Sequence, residues 1–158
     1  TPAQEAFSQH ANILGVLTGL FEERNLAARG ATQAVTDHDV MERVLADPSL
    51  VPATYYFSFY LHRAMKQAGL GDRYIEQLEP WREMLARGLT TFAEEPDPTR
   101  SDSHAWSAHP NYHMLALIAG IRPSAPGFAA VRITPALGPL DAVEATVPHP
   151  EGAIRVQF

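Results

Sequence analysis

Apolar positions recur at spacings of three and four through the first 120 residues and then give way to short alternations. Phe7, Ala11, Leu14, Leu17 and Phe21 predict an amphipathic helix within 4–22, with His10 on the same stripe and Asn25 and Gly30 closing the segment. Thr36 or Asp37 predicts the cap of a second, short helix, whose narrow apolar face is Val40, Met41, Val44 and Leu45 and which ends before Pro48. VPATYYFSFYLHRAMKQAG, residues 51–69, predicts a third. Pro52 suits its first turn, its faces are apolar or aromatic nearly all round until Arg63, and Gly69 stops it. Such a helix is buried on most sides. Asp72 predicts the cap of a fourth, with Tyr74, Leu78, Trp81 and Leu85 on one face, a kink or restart at Pro80, and Gly88 at its end. A fifth begins between Ala105 and Asn111, carries Pro110 in its first turn, and runs through Leu115 and Ile118 to Gly120.

From Arg122 the pattern has period two. Val131 and Ile133, then Val143, Ala145 and Val147, then Ile154, Val156 and Phe158 predict β-strands, in a stretch punctuated by six prolines. Helices first and strands after predict a helical domain, residues 1–121, followed by the start of an all-β one, residues 122–158. Three strands seldom make a stable module, so the β part is expected to pack on the helices or to lack its remainder. Helices of alternating character fit a layered array such as a toroid of helix hairpins, and periodicity does not separate that from an ordinary bundle. No fixed-period repeat marks a solenoid.

Composition narrows the function classes. With 158 residues, 46% apolar and 19% charged, the chain is globular, one domain or pieces of two. A formal charge of -6 and the absence of any Lys/Arg cluster argue against nucleic acid as a partner. No cysteine is present, which removes disulfides and thiolate metal sites. No apolar run approaches the ~18 residues of a membrane span, so no membrane partner is expected. The first residues, TPAQEAFSQ, lack the basic region and apolar core of a signal peptide, and without an initiator Met the chain is expected to start downstream of the true N-terminus. Localisation stays open among cytoplasm, periplasm and secretion, as does oligomeric state.

The chemistry is concentrated in Gly88–His113. Glu94 and Glu95 stand beside Asp97 and Asp102, with Arg100, three histidines and Trp106. Pro96 and Pro98 forbid helix across the acidic run, so the side chains hang from a stiff extended loop, a usual carrier of function. Each residue also has a plainer reading. Acid-rich loops are often solvated turns, Arg100 can simply neutralise Asp97 or Asp102, and a lone His104 is more often a helix-end or packing residue. His109 and His113 have the spacing of a helical zinc pair, but no general-base Glu follows the first, and no metal or other cofactor is expected. Ser101, Asp102, Ser103 and His104 contain the letters of a triad, yet sequence neighbours rarely reach its geometry. The aromatic run Tyr55, Tyr56, Phe57, Phe59 and Tyr60 reads as core, with Tyr55 or Tyr56 near the helix start placed to line a cleft.

Longer ordered motifs carry a resemblance. TTFAEEPDPTRSDSHAWSAHPNY, LALIAGIRPSAPGFAAVRITPALGPL and TVPHPEGAIRV, with FSQHAN near the start and TYYFSFYLHRAM in the third helix, closely resemble the C-terminal part of bacterial α-L-rhamnosidases, family 78 of the glycoside hydrolases. The resemblance implies a mainly α fold: the last helices of a catalytic (α/α)6 six-hairpin toroid, followed by short antiparallel strands opening a C-terminal β-sandwich domain. It also implies hydrolysis with inversion, which needs one protonated carboxyl for the leaving oxygen and one ionised carboxyl to activate water. Thr91, Phe92, Ala93 and Glu94 match the Thr-x-x-Glu motif of the family's general base, so the resemblance makes Glu94 the base, with Glu95 one residue away as the alternative. Where some members carry Trp before the base, this chain has Ala93. Ser101, Asp102, Ser103 and His104 match the Ser-x-x-His motif whose histidine binds rhamnose, and Trp106 resembles the aromatic that follows it. Tyr55 joins these as a substrate-binding candidate.

The general acid is missing. Nothing in residues 1–87 resembles the family's acid- and Arg-rich stretch, so the chain is expected to be inactive alone and to depend on an N-terminal part of the same polypeptide. The expected partner is a rhamnose-containing carbohydrate. Two other classes remain: a different sugar-active enzyme on the same toroid, a glycosidase or a polysaccharide lyase, and a non-catalytic carbohydrate-binding remnant.

Overall fold

A computed structural model of the chain describes residues 7–21 and 35–158. It resolves into two compact units that divide between Leu70 and Gly71. The expected domain boundary after residue 121 is a different division, at the change from helices to strands.

Among the described residues the first unit holds three helices: α1 Gln9–Leu17, α2 Asp37–Ala46 and α3 Ser58–Gln67. Its core is Ile13, Val16, Met41, Val44, Leu61, Ala64, Met65, Ala68 and Leu70. The buried face of α1 is thus Ile13 and Val16, whereas Phe7 and Leu14 of the predicted stripe are exposed. Apolar residues occupy two faces of this helix, so spacing alone selects neither. Two glutamines tie the helices through backbone groups: Gln9 donates to Val44 O at 3.0 Å and accepts from Ala53 N at 2.9 Å, and Gln67 donates to Val16 O at 2.6 Å.

Pro52 does not open α3. Val51 is spent on an extended bridge, donating to Phe7 O at 2.8 Å and accepting from Gln9 N at 3.0 Å, as suits a residue before proline. The helix starts six residues later than Pro52, after Thr54 receives Phe57 N on its hydroxyl and Ser58 N on its carbonyl.

The cap of α2 is as expected. Thr36 Oγ1 accepts from Asp39 N at 3.1 Å, and the Asp39 carboxylate accepts from Thr36 N at 3.0 Å, a reciprocal capping box. The Thr36 hydroxyl also donates to Asp39 Oδ2 at 2.6 Å, and this bond, with the one from Thr36 N, holds the Asp39 pKa below its ordinary 3.8. A depressed carboxylate pKa stabilises the fold above the unfolded-state value and loses that contribution as pH falls through the folded one. Thr36→Ala is therefore expected to lower the thermal midpoint at neutral pH, with the gap to the unsubstituted protein closing in acid below the ordinary Asp value, as thermal melts across pH would measure.

The second unit opens with a 3-10 stretch, Gly71–Leu78, and restarts at Pro80 as α4, Glu79–Ala86. Asp72 lies within the 3-10 stretch, and its carboxylate accepts Gly138 N at 3.0 Å. Tyr74, Leu78, Trp81 and Met84 are buried, and Leu85 is exposed in place of the expected inward position. The restart shifts the helical phase by the difference between 3-10 and α winding, which moves the inward residue from 85 to 84. After the acidic loop, a 3-10 turn at Ala105–Ala108 leads into α5, Pro110–His113, continued as a π-helical turn over Met114–Ile118.

The strands are short. β1 Ile121–Pro123 pairs antiparallel with β2 Val131–Ile133, and β3 Glu144–Val147 with β4 Ile154–Gln157. The first pair is anchored on the helical segment: Thr134 N donates to Gly120 O at 3.1 Å and Ala136 N to Ile118 O at 3.0 Å. Gly120 has φ +70, and a Cβ there would lie 2.1 Å from Thr134 O. Gly120→Ala is expected to destabilise the unit by at least about 1–3 kcal/mol from backbone strain alone, with the clash in addition. A thermal midpoint equal to that of the unsubstituted protein would refute this. Mainly α architecture followed by short antiparallel strands is thus what the chain has, in the order the sequence predicts. Among the described residues no helix is long and apolar enough to cross a membrane.

Candidate active site

The loop after α4 is held as an irregular hairpin. Glu94 N donates to Ser101 O at 2.9 Å, His104 N donates to Phe92 O at 2.7 Å, and the Thr91 hydroxyl donates to Asp102 O. Thr99 Oγ1 reaches Ser101 O at 2.9 Å and tightens the returning arm. Its tip is fastened to the end of α4, because Arg87 Nη2 meets Asp97 Oδ1 at 2.7 Å. The two prolines keep the acidic run out of helix, and these bonds set where its side chains point.

Glu94 and Glu95 face different surroundings. The Glu94 side chain is only 10% exposed, that of Glu95 48%. Ala93, which precedes Glu94, is buried. Arg100 returns across the hairpin with its Nε 3.1 Å from Glu94 Oε2 and its Nη2 on Glu94 Oε1, a two-pronged carboxylate grip. Its Nε also lies 3.7 Å from Glu95 Oε1. These carboxylates, Glu94 first, push the already high pKa of Arg100 further up. Arg100 therefore neutralises Glu94 and Glu95 rather than Asp97 or Asp102, since Asp97 is taken by Arg87.

His104 completes the group. Its Nε2 is 3.7 Å from Glu94 Oε1, the oxygen that also meets Arg100 Nη2. The His104 ring lies against Trp106 with centroids 4.7 Å apart, and Trp106 is 47% exposed. An exposed indole beside a carboxylate and an imidazole is the usual furniture of a sugar site, one apolar face and hydrogen-bonding groups at its edge. Behind it the backbone is fixed: Ser107 N donates to His104 O at 3.2 Å, and Trp81 Nε1 donates to Ser107 O at 2.8 Å.

The structure thus brings together Glu94, Glu95, Arg100, His104 and Trp106. Tyr55 belongs to the first unit, half-buried ahead of α3. Its neighbours there divide as core and surface: Phe57 and Tyr60 pack against the core and stack at 5.0 Å, while Tyr56 is exposed. His109 and His113 are buried, with their Nδ1 atoms 3.3 Å apart, so one ring donates and the other accepts. Sequence reasoning missed the Arg100 grip and the Trp81–Ser107 bond. The first had a signal, the lone cation between the two halves of the loop; the second joins residues 26 apart and had none.

The profile of the bacterial alpha-L-rhamnosidase C-terminal domain family matches residues 120–158. Among solved structures, the chain is similar to a crystal structure of a GH78 family rhamnosidase of Bacillus sp. GL1, with 25% sequence identity and a TM-score of 0.78. That match covers 98% of this chain and 17% of the Bacillus one, so the chain spans about a sixth of that enzyme's length. A search of curated protein sequences finds no match. Residues 120–158 thus resemble the bacterial alpha-L-rhamnosidase C-terminal domain, and the chain as a whole has the fold of a C-terminal part of a family 78 rhamnosidase.

Proposed function

We propose that the chain is the general-base-bearing part of an inverting α-L-rhamnosidase that removes terminal rhamnose from glycosides or polysaccharides. In this reading residues 1–121 contribute the last helices of an (α/α)6 catalytic barrel, and residues 122–158 begin a β-sandwich domain. Glu94 takes a proton from water, whose oxygen attacks the anomeric carbon from the face opposite the leaving group. The leaving oxygen takes its proton from a general acid outside residues 1–158, so the chain alone is inactive. His104 hydrogen-bonds the sugar, and Trp106 covers an apolar face or the methyl of the 6-deoxyhexose; Tyr55, in the first unit, is a further substrate-binding candidate. No metal or other cofactor enters.

The observation that supports this reading best is the Glu94 carboxylate, almost withdrawn from solvent and flanked by Arg100, His104 and an exposed Trp106. A solvated turn would leave its acids exposed, as Asp102 and Glu95 are. The test is turnover of para-nitrophenyl α-L-rhamnoside by the complete polypeptide, beside a panel of other sugar glycosides and with Glu94→Gln as control. Proton NMR of the first product distinguishes inversion, which gives the β anomer, from retention. Release of another sugar would change the substrate class, an unsaturated product absorbing in the ultraviolet would indicate a lyase, and rhamnoside binding without turnover would indicate a binding module.

A further inference from the structure

We infer that Arg100 is a positioning residue for Glu94: its Nε on Oε2 and its Nη2 on Oε1 fix the carboxylate's rotation so that Oε1 is presented to the attacking water. The inference rests on the general-base reading and adds which oxygen works and what holds it.

The asymmetry of the pair carries the argument. Glu94 is 10% exposed and Arg100 77%, so an exposed cation covers a nearly buried anion from the solvent side. An exposed ion pair ordinarily contributes little to stability, because two long side chains are ordered for a screened attraction. Here the backbone has already done the ordering. Glu94 N is bonded to Ser101 O, the residue beside Arg100, so carboxylate and guanidinium start from adjacent points across the hairpin. The planar fork then fixes the carboxylate's rotation, which a point charge does not.

The two oxygens are not equivalent. Among the described residues Oε2 meets Arg100 Nε, whereas Oε1 meets Arg100 Nη2 and faces His104 Nε2 at 3.7 Å. His104 is the residue read as holding the sugar, so Oε1 is the oxygen nearest the substrate. With the fork closed, each oxygen spends one acceptor site on Arg100 and keeps another. The water takes the remaining site of Oε1, on the His104 side, while the fork holds the carboxylate's rotation. The same fork separates the adjacent acids, since Glu95 touches only the edge of the guanidinium at 3.7 Å.

The experiment compares Glu94→Gln, Arg100→Ala and Arg100→Lys in the complete polypeptide on an aryl α-L-rhamnoside. Arg100→Ala is expected to lower kcat about 10- to 100-fold, the weight of a charge-assisted pair, with KM little changed. Guanidinium ion, added well below denaturing concentration, is expected to restore part of that loss, since it refills the fork; a merely structural role would not respond. Arg100→Lys keeps the charge without the fork and is expected to stay well below the unsubstituted enzyme. Full activity in Arg100→Ala, alongside an inactive Glu94→Gln, would overturn the inference and leave the base standing. Full activity in Arg100→Lys would overturn the fork. Full activity in Glu94→Gln would overturn the base itself, and the inference with it.

Discussion

Glu94→Gln in the complete polypeptide is expected to lower kcat on para-nitrophenyl α-L-rhamnoside by about 10²–10⁴-fold, the usual contribution of a positioned general base. The substitution is nearly isosteric and keeps one acceptor oxygen for Arg100, and the hairpin's bonds from Glu94 N, His104 N, Thr91 and Arg87 do not use the Glu94 side chain, so the loop should persist. What it removes is a site that can take a proton from water. Sugar binding runs through His104 and Trp106 in this reading, so KM or rhamnose affinity should change little, which is the pattern of an interaction made in the transition state. Glu95→Gln is the matched control. Its side chain is half exposed and outside the full grip of Arg100, so its effect should be far smaller. If the two substitutions exchanged effects, the base would be Glu95; if neither reduced turnover, the acidic loop would not be the catalytic one.

The order of helices and strands was legible because each rests on local rules. Thr36 caps α2 through its own hydroxyl, Pro80 restarts a helix, and the alternation Val143, Ala145, Val147 pairs with Ile154 and Val156 as period two requires. Inward faces were less legible. The outward turn of Leu14 depends on α2 and α3 choosing Ile13 and Val16, and that of Leu85 on a 3-10 to α change in winding. Pro52 misled for a related reason: its first-turn preference competes with the extended state it imposes on Val51, and the bridge to Phe7 and Gln9 decides between them. In the site, residue types alone left Glu94 and His104 as plain loop and packing residues; the resemblance to rhamnosidase motifs singled them out with Trp106, and the hairpin places these three near one another. Arg100 was visible only as a cation among acids, because which acid it grips is fixed by the cross-hairpin bond from Glu94 N to Ser101 O.

Trp81→Ala is expected to cost about 3–5 kcal/mol of stability, among the largest effects of any single substitution here. The indole is 7% exposed, meets the edge of His109 at 5.1 Å, and donates to Ser107 O at 2.8 Å. Trp81→Phe separates the two contributions. It retains most of the buried ring and removes the N–H, leaving the Ser107 carbonyl without that donor, at about 1–3 kcal/mol. The consequence is not confined to the core. Ser107 N holds His104 O at 3.2 Å, so a displaced Ser107 carries the His104 backbone with it. Trp81→Phe should therefore weaken rhamnose binding more than it changes the catalytic step, raising KM with a smaller change in kcat. Thermal unfolding of both variants, with kcat and KM of the phenylalanine one, checks the chain of contacts. A phenylalanine variant destabilised as expected but with an unchanged KM would confine Trp81 to packing, and would show that His104 is fixed by the hairpin bond to Phe92 alone.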